Sequence, residues 1–439
     1  MISTNPAPVS RQQPQINPSY DVIVIGGGPA GATVAALTAE YGHNVLLLER
    51  SSVPRFHVGE SLIPETYWTL LRLGLIERLK ASAFPKKYSV QFVSDGSKVS
   101  APFYFDQHND HESSQTWQVE RGEFDRMLLE RAEELGAAIR TDAQVLDILF
   151  EGDTARGVRV KLGSGAAAEI RELTARIVVD ATGQSTFLAN RLGLKEPDPR
   201  LKNGTVWTYF RNAQRDPGKD EGATLVLQTE GQRSWFWYIP LPDNIVSIGC
   251  VGSMSYMFSK DGSTAADVYQ RELVRCPALQ ARLTDAERVT DYLTTKDFSY
   301  RCKTAAGNGW LLVGDALGFI DPVYSSGVFL ALKSGEFAAD AVHGALQTGD
   351  ISGSRLGAWQ PEFREGGEMF RRLVYVFYTP EFSFGAFLRA HPQHRRDLVD
   401  ILIGNVFRPG LKKMFDAMDT YLTPPDAAAT SAATDSKAL

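Results

Sequence analysis

The apolar positions of this chain follow three successive rhythms. Up to about residue 200, short β-branched runs alternate with segments of helical spacing; from 205 to 251 strand-like alternation dominates; beyond 325 the spacing is helical. The clearest unit comes first. Residues 22–25, Val-Ile-Val-Ile, form an unbroken β-branched run that stops at Gly26-Gly27-Gly28-Pro29-Ala30-Gly31. Small residues at Ala32, Ala35, Ala36 and Ala39 then permit a helix that packs closely on a sheet, and a second apolar run, residues 45–48, ends at Glu49. The pattern predicts strand, helix and parallel strand in one compact unit.

Further along, the pattern predicts a helix over 65–79, a strand over 88–93, a polar loop over 106–114, a strand over 117–119 and an amphipathic helix over 123–135. Alternating segments at 145–150, 157–162, 168–173 and 177–179 read as a meander that returns to the first sheet and ends in Asp180-Ala181-Thr182-Gly183. The aromatic and β-branched segments between 205 and 251 predict a separate antiparallel sheet. Helices are expected over 327–346 and 354–373, and over a tract from 381 to 422 broken at Pro392 and Pro409. The resulting organisation is α/β. A discontinuous Rossmann-like domain covers 19–86, 117–200 and 295–350, an antiparallel-sheet substrate domain covers 87–116 and 201–294, and a C-terminal helical region covers 351–422. Residues 1–18 and 423–439 are expected to be flexible tails.

Composition narrows the function classes. The 439 residues are 43% hydrophobic and 22% charged, ordinary for a globular protein with a large core. A net charge of −6 without a dense basic stripe argues against nucleic acid as a partner. The apolar runs are too short to span a bilayer, so no membrane partner is expected. Cys250, Cys276 and Cys302 have neither disulfide nor metal-ligand spacing, which fits a reducing cytoplasm; no metal site is expected.

The Gly-rich turn carries the first chemistry. In a G-x-G-x-x-G between strand and helix, Gly26 allows the tight turn, Gly28 lets a pyrophosphate approach the backbone and Gly31 lets the helix pack closely. The helix start offers unpaired N–H groups and the positive end of its dipole to that anion. Glu49, eighteen residues beyond Gly31, stands where a carboxylate accepts ribose hydroxyls. Far downstream, Gly309-Trp310-Leu311-Leu312-Val313-Gly314-Asp315-Ala316 puts a short strand before a Gly-Asp pair, and an Asp there can hold the ribityl hydroxyls of a flavin. NAD dehydrogenases need no such second contact, so the two motifs together favour FAD.

Four segments bring the chain close to a known family: GGGPAG at 26–31, HVGESLIP at 57–64, WFWYIP at 235–240 and GDALGFIDPVYSSG at 314–327. With these the chain resembles the flavin-dependent halogenases, within the larger aromatic-hydroxylase-like flavoprotein fold. Trp-x-Trp-x-Ile-Pro is the family's more distinctive mark. The resemblance implies that Gly26, Gly28, Ala30, Gly31, Glu49, Arg50, Ser61, Arg121, Gly314 and Asp315 contact FAD. It implies that Ser326 and Gly327 border the same cofactor and offer backbone N–H groups to chloride or bromide. The activity implied is that of a two-component enzyme. A separate flavin reductase supplies FADH2, O2 and halide react through a flavin hydroperoxide, and the hypohalous acid halogenates an electron-rich aromatic by way of a lysine. Lys87, Ser326, Trp235 and Trp237 form the implied catalytic set.

Trp235, Trp237 and Ile239 share one strand face, opposite Phe236 and Tyr238. A strand buried on both sides shows the same pattern, whereas the family reading makes the indoles a wall between flavin and substrate. Strand parity separates the two candidate lysines. If Tyr88, Val90 and Phe92 face the core, Lys86 shares their side and Lys87 points the other way with Ser89 and Gln91. Lys87 also resembles the family's lysine in its spacing, Phe84-x-x-Lys87-x-x-x-x-Phe92, although Ser89 stands where many halogenases of this branch have Gly. A lysine in a desolvated tunnel has a lowered pKa and can hydrogen-bond hypohalous acid or form a haloamine. Tyr324 departs from the tryptophan halogenases, which carry Glu there. The substrate is therefore expected to lose its own proton, as phenols, pyrroles and enolisable carbonyls do. The short stretch beyond the last motif favours a carrier-protein-tethered or larger phenolic substrate, and the protein is expected to be a monomer or homodimer. A single-component NAD(P)H-dependent hydroxylase and a geranylgeranyl-reductase-like flavoprotein share the fold, but need neither the two indoles nor Lys87.

Overall fold

The computed structural model describes residues 13–258, 262–296 and 298–422. Its first sheet is built around Ser19–Ile25, which pairs in parallel with Val45–Leu48 on one side and Glu169–Asp180 on the other. Trp310–Leu312 and Ala138–Arg140 extend the parallel sheet outward. Val22, Ile23, Val24, Leu46 and Leu47 are fully buried, as strands covered on both faces must be. The helix Pro29–Glu40 packs against the helices Arg121–Glu134 and Gly327–Thr348. Missing side chains permit that closeness. A Cβ on Gly31 would lie 2.0 Å from the Gly26 carbonyl oxygen, and one on Gly335 would lie 2.8 Å from that of Ala30.

Three elements depart from the sequence expectation. The segments expected over 168–173 and 177–179 form one strand, Glu169–Asp180. Its first half runs antiparallel to Thr154–Leu162 and its second half parallel to Ser19–Ile25, with Thr174 paired to both Gly157 and Ser19. The polar interruption marks a change of ladder, not a turn. The helix expected over 65–79 is two helices, Thr66–Arg72 and Ile76–Lys80, parted at Gly74, whose φ of +69° is the left-handed conformation that ends a helix. Likewise the helix expected over 354–373 is split into Gly353–Leu356 and Gln360–Phe377, with Pro361 in the first turn of the second.

The second sheet runs in the order Asn203–Arg211, Ile245–Ser253, Ser234–Leu241, Thr224–Gln228, Ser89–Val93. Its pairs are antiparallel except the last, which is parallel and corrects the expected wholly antiparallel sheet. The chain between those two strands returns by way of the first sheet, so no hairpin constrains their direction. Every residue of Ser234–Leu241 is buried. Trp235, Trp237 and Ile239 face a cluster shared with the C-terminal helices, while Phe236 and Tyr238 face one containing Tyr269. The helices Phe384–Ala390, Arg395–Ile403 and Lys412–Leu422 close that end of the molecule.

Residues 13–18, expected in the leader, lie against the first sheet. Gln13 Nε2 donates to Thr141 Oγ1 at 2.8 Å, Ile16 packs on the core, and the Thr174 N–H donates to the Pro18 carbonyl at 2.9 Å. The rest of the two expected tails, residues 1–12 and 423–439, lies outside the described residues. Among the described residues, no helix is long and apolar enough to cross a membrane, and no group of acidic, His and Cys side chains could hold a metal ion.

Candidate active site

A cavity of about 660 Å³ lies between the two sheets. One end is the Gly-rich turn. Gly26 has φ +106°, and a Cβ there would lie 2.4 Å from the Ala181 carbonyl oxygen. Gly28, the N-cap of Pro29–Glu40, has no capping side chain. A Cβ on Gly28 would meet only the Arg55 guanidinium, at 3.8 Å, so this backbone faces open cavity. Glu49 accepts from the Gly27 N–H at 2.7 Å and the Ser51 N–H at 2.9 Å. Arg55 stands 3.5 Å from Glu49 and 3.7 Å from Asp125, leaving a cation beside Gly28. Sequence reasoning missed it. Its only signal is a basic residue shortly after the second strand.

The cavity wall also includes Ala30, Arg50, Arg121, Gly314 and Asp315. Arg121 is held by Asp125 (2.9 Å) and the carbonyls of Val58 (2.9 Å) and Gly59 (3.3 Å). Gly314 adopts φ +57° against Ala30, where a Cβ would lie 2.8 Å from the Ala30 Cβ. Burial pushes the Asp315 carboxyl up to about 7, against the opposing pull of Arg121. Gly31, Ser326 and Lys87 are not on the wall. Gly31 is packed inside the fold, Ser326 is buried behind its neighbours, and Lys87 lies one residue deeper, behind Ser61.

Trp207, Trp235 and Trp237 also line the cavity, with adjacent ring centroids 6.4 Å apart. Trp235 and Trp237, on the same strand, are each tied by the indole N–H to a buried carboxyl through one hydroxyl. Trp235 Nε1 donates to Tyr378 Oη at 2.8 Å, and that hydroxyl donates to Asp321 at 3.0 Å. Asn203 Nδ2 donates to the same carboxylate oxygen at 2.8 Å. Burial raises Asp321 to about 6. Trp237 Nε1 donates to Ser247 Oγ at 3.1 Å, which donates to Glu60 at 3.4 Å, while Tyr209 Oη donates to the other Glu60 oxygen at 2.5 Å. Burial raises the Glu60 carboxyl as well. Two satisfied networks thus fix both rings. Glu60 was legible only as a letter of the HVGESLIP segment; Asp321 and Tyr378 carried no recognised signal of this pairing.

Lys87 is 2% exposed. Its Nζ donates to Ser61 Oγ at 2.8 Å and to the Leu62 carbonyl at 2.9 Å, and lies 5.7 Å from the centre of the Phe105 ring. Ser61 Oγ is 2.9 Å from Thr224 Oγ1, which accepts from Gln118 Nε2 at 2.8 Å. Among these contacts there is no carboxylate. Desolvation alone lowers the amine to about 7. Lys86 is exposed. The parity premise, however, is inverted: Lys87, Ser89, Gln91 and Val93 are the buried positions, and Tyr88, Val90 and Phe92 are only half-buried. The inward face of this edge is polar because it abuts a hydrogen-bonded wall, and Ser89 itself donates to Asp220 at 3.0 Å.

The segment after Asp315 bends sharply before the 22-residue helix Gly327–Thr348. Ser325 takes the left-handed conformation, φ +55°, rare for a residue with a side chain. Ser326 is the N-cap, and no side chain caps the helix. Ser325 and Gly327 line the cavity, so backbone around these positions faces it. Tyr324 is buried, with its hydroxyl donating to the Leu373 carbonyl at 3.4 Å.

With this geometry in hand, known proteins of similar sequence and shape are informative. Residues 19–338 match the family model described as FAD binding domain. The chain is 30% identical over 420 residues to a 1H-pyrrole-2-carbonyl-[peptidyl-carrier protein] chlorinase of Pseudomonas fluorescens, covering 91% of this chain and 92% of that protein. It is also 30% identical to a 1H-pyrrole-2-carbonyl-[peptidyl-carrier protein] brominase of Pseudoalteromonas luteoviolacea, covering 89% and 93% respectively. Among solved structures, the flavin-dependent brominase Bmp2 superposes with a TM-score of 0.81 at 27% identity, over 92% of this chain and 99% of that one. The myxobacterial chondrochloren halogenase CndH superposes with a TM-score of 0.77 at 33% identity, over 91% and 96%.

Proposed function

Because the chain belongs to the flavin-dependent halogenases, within the FAD binding domain family, we propose that it halogenates a pyrrole held as a thioester on a peptidyl-carrier protein, using Lys87 to deliver the halogen. The observation that carries this reading is the amine itself: fully buried, without an acid partner, and hydrogen-bonded to Ser61 on the cavity wall. The pyrrole assignment draws on the two relatives named for such substrates and on Tyr324, which stands where the tryptophan halogenases carry Glu and whose hydroxyl bonds the Leu373 carbonyl.

The residues present fit FAD. Gly28 leaves its backbone open to a pyrophosphate, beside the cation of Arg55 and the uncapped helix start. Glu49 and Arg50 would hold the adenosine end and Arg121 and Asp315 the flavin end, with Gly26, Ala30 and Gly314 keeping the backbone close and Gly31 acting by packing. Bound in its reduced form and supplied with O2, the flavin provides the oxidising equivalent that turns chloride or bromide into hypohalous acid. Backbone N–H groups at Ser326 and Gly327 would hold the halide at the uncapped helix start. Reduced FAD comes from a separate flavin reductase.

Trp235 and Trp237, locked by their polar tethers, keep the substrate away from the oxidant's source. Lys87 then receives the hypohalous acid. As an ammonium it donates a hydrogen bond to the acid's oxygen; as a free amine it takes the halogen and releases water. From the haloamine, transfer breaks the nitrogen–halogen bond and forms the carbon–halogen bond, and the proton lost by the ring restores the amine's N–H. From hypohalous acid held by the ammonium, the ring proton and the acid's hydroxide leave together as water. A value near 7 keeps both forms populated at neutral pH.

The test supplies FAD, a generic flavin reductase, NADH, bromide and a pyrrole thioester on a carrier protein, with products read by mass spectrometry. Lys87→Ala should keep FAD binding and flavin reoxidation but lose about a thousandfold or more of halogenated product. Lys86→Ala, altering an exposed residue, should lose little. Full halogenation by Lys87→Ala, or oxygenated products from the wild type, would overturn the proposal.

A further inference from the structure

The net charge of the chain conceals a local reversal. Residues 384–413 carry Arg389, Arg395, Arg396, Arg408, Lys412 and Lys413 against Asp397 and Asp400, a net charge of +4 in a chain of −6. Arg408 pairs with both of those acids, and Lys412 pairs with Glu365. Arg389, Arg395, Arg396 and Lys413 are exposed and, among the described residues, have no ion pair or side-chain hydrogen bond. Arg395 and Arg396 occupy the first two positions of the helix Arg395–Ile403. Cations there oppose the helix dipole, so they lower the helix's own stability. Arg389 ends the preceding helix, and the elbow joining the two is compact: His391 and His394 pack on Phe387 with centroids 5.0 and 6.2 Å away.

The other end of the same helix reaches the reactive lysine's surroundings. Val399 and Ile403 pack on Phe105, the ring beside Lys87. The Ile403 carbonyl accepts from the Glu65 N–H at 2.9 Å, and buried Asp400 bonds His108 at 3.0 Å. One helix of about 12 Å therefore links the unpaired cations to the cover of Lys87.

We propose that this basic elbow is the docking site for the carrier protein that delivers the substrate, with Arg389, Arg395 and Arg396 receiving the phosphodiester of its phosphopantetheine arm and the acidic surface around it. The proposal rests on the carrier-bound substrate assigned above. A phosphodiester is a permanent anion and the arm is long and flexible, so a fixed cation cluster on the face that adjoins the cover of Lys87 can anchor it while the acyl group reaches inward. A flavin reductase has no need of this face, which adjoins Lys87's cover and contributes nothing to the wall of the flavin cavity.

The experiment uses the full chain, FAD-loaded, with a generic reductase. Two substrates are compared: a pyrrole thioester on intact carrier protein, and the same acyl group on phosphate-free pantetheine. The Arg389→Glu/Arg395→Glu/Arg396→Glu variant should raise KM for the carrier substrate about tenfold or more, with kcat kept and KM for the pantetheine thioester nearly unchanged. Added salt should raise the wild-type KM for the carrier and barely affect the variant. Arg211→Glu, an exposed charge reversal at the end of the second sheet, should match the wild type. An unchanged carrier KM in the triple variant overturns the docking site alone. An equal loss on both substrates overturns it too, since the elbow would then be supporting the fold. A wild type that halogenates the pantetheine thioester but never the carrier substrate overturns the carrier reading, and docking with it.

Discussion

Lys87→Met should make the protein more stable in mild acid and less so in alkali, because the amine it removes is buried without an anion. The methionine keeps most of the volume and leaves the fold's packing in place. Burial lowers the amine from 10.5 to about 7, and each unit is worth about 1.4 kcal/mol, so charging it in the folded state costs about 5 kcal/mol. The folded pKa lies below the unfolded one, so the cost is absent above about pH 10.5, grows as the pH falls, and is complete below about pH 7. Against this, the variant loses the bonds to Ser61 and the Leu62 carbonyl, a pH-independent penalty of about 1–3 kcal/mol. Below pH 7 the variant should therefore be the more stable by about 2–4 kcal/mol, with the advantage shrinking by about 2 kcal/mol between pH 7 and 9. Urea unfolding of FAD-saturated wild type and variant at pH 6, 7, 8 and 9 measures the difference directly, since every other titrating group cancels. A difference that stays constant from pH 7 to 9, or grows with pH, would show that the lysine is not held near neutrality.

Two further outcomes test the cofactor's housing. Gly28→Val places a branched side chain where only the Arg55 guanidinium lies nearby, so flavin fluorescence titration should show FAD affinity falling about a hundredfold or more, about 3 kcal/mol, with the fold retained by circular dichroism; wild-type affinity would show that no pyrophosphate lies there. Anaerobic stopped-flow mixing with NADH or NADPH should bleach the bound flavin only when a reductase is present, and rapid bleaching without one would favour the hydroxylase.

The first unit was legible because its glycines are dictated by backbone geometry, which leaves a trace in a single sequence. Gly26 and Gly31 cannot carry a Cβ here, and such positions read the same in any fold that makes this turn. Strand parity separated the buried lysine, Lys87, from the exposed Lys86, but on an inverted premise. Alternation assigns two faces to a strand but does not say which one is inside, and here the polar set, Lys87, Ser89 and Gln91, is buried. A polar inward face is legible only once its partners, Ser61 and Asp220, are known, and they come from other parts of the chain. The same limit hid the tethers of the indoles. Trp235 meets Tyr378 across 143 residues and Glu60 meets Tyr209 across 149, so no local pattern could announce either. The single strand Glu169–Asp180 was read as two because a change of pairing partner looks like a break in alternation.

What the tethers accomplish is to make one short segment responsible for two otherwise separate parts of the site. Glu60 receives the hydroxyl that fixes Trp237, while Ser61, its neighbour, receives the amine of Lys87. Successive residues of an extended chain point to opposite sides, so this pair can face the indole wall and the lysine at once. Its backbone is pinned as well: the Val119 N–H donates to the Glu60 carbonyl at 2.7 Å, and the Leu62 N–H donates to the Trp117 carbonyl at 3.1 Å. A shift of this segment would therefore move the tether of Trp237 and the partner of Lys87 together. In the proposed mechanism the separation that matters is the distance between the indole wall and the amine that would receive the oxidant. Trp235 is held from a different direction, by Tyr378 at the end of Gln360–Phe377 and by Asp321 just before the bend at Ser325. The wall is thus anchored at one indole to the lysine's segment and at the other to the proposed halide segment, and its two rings register those two places against each other.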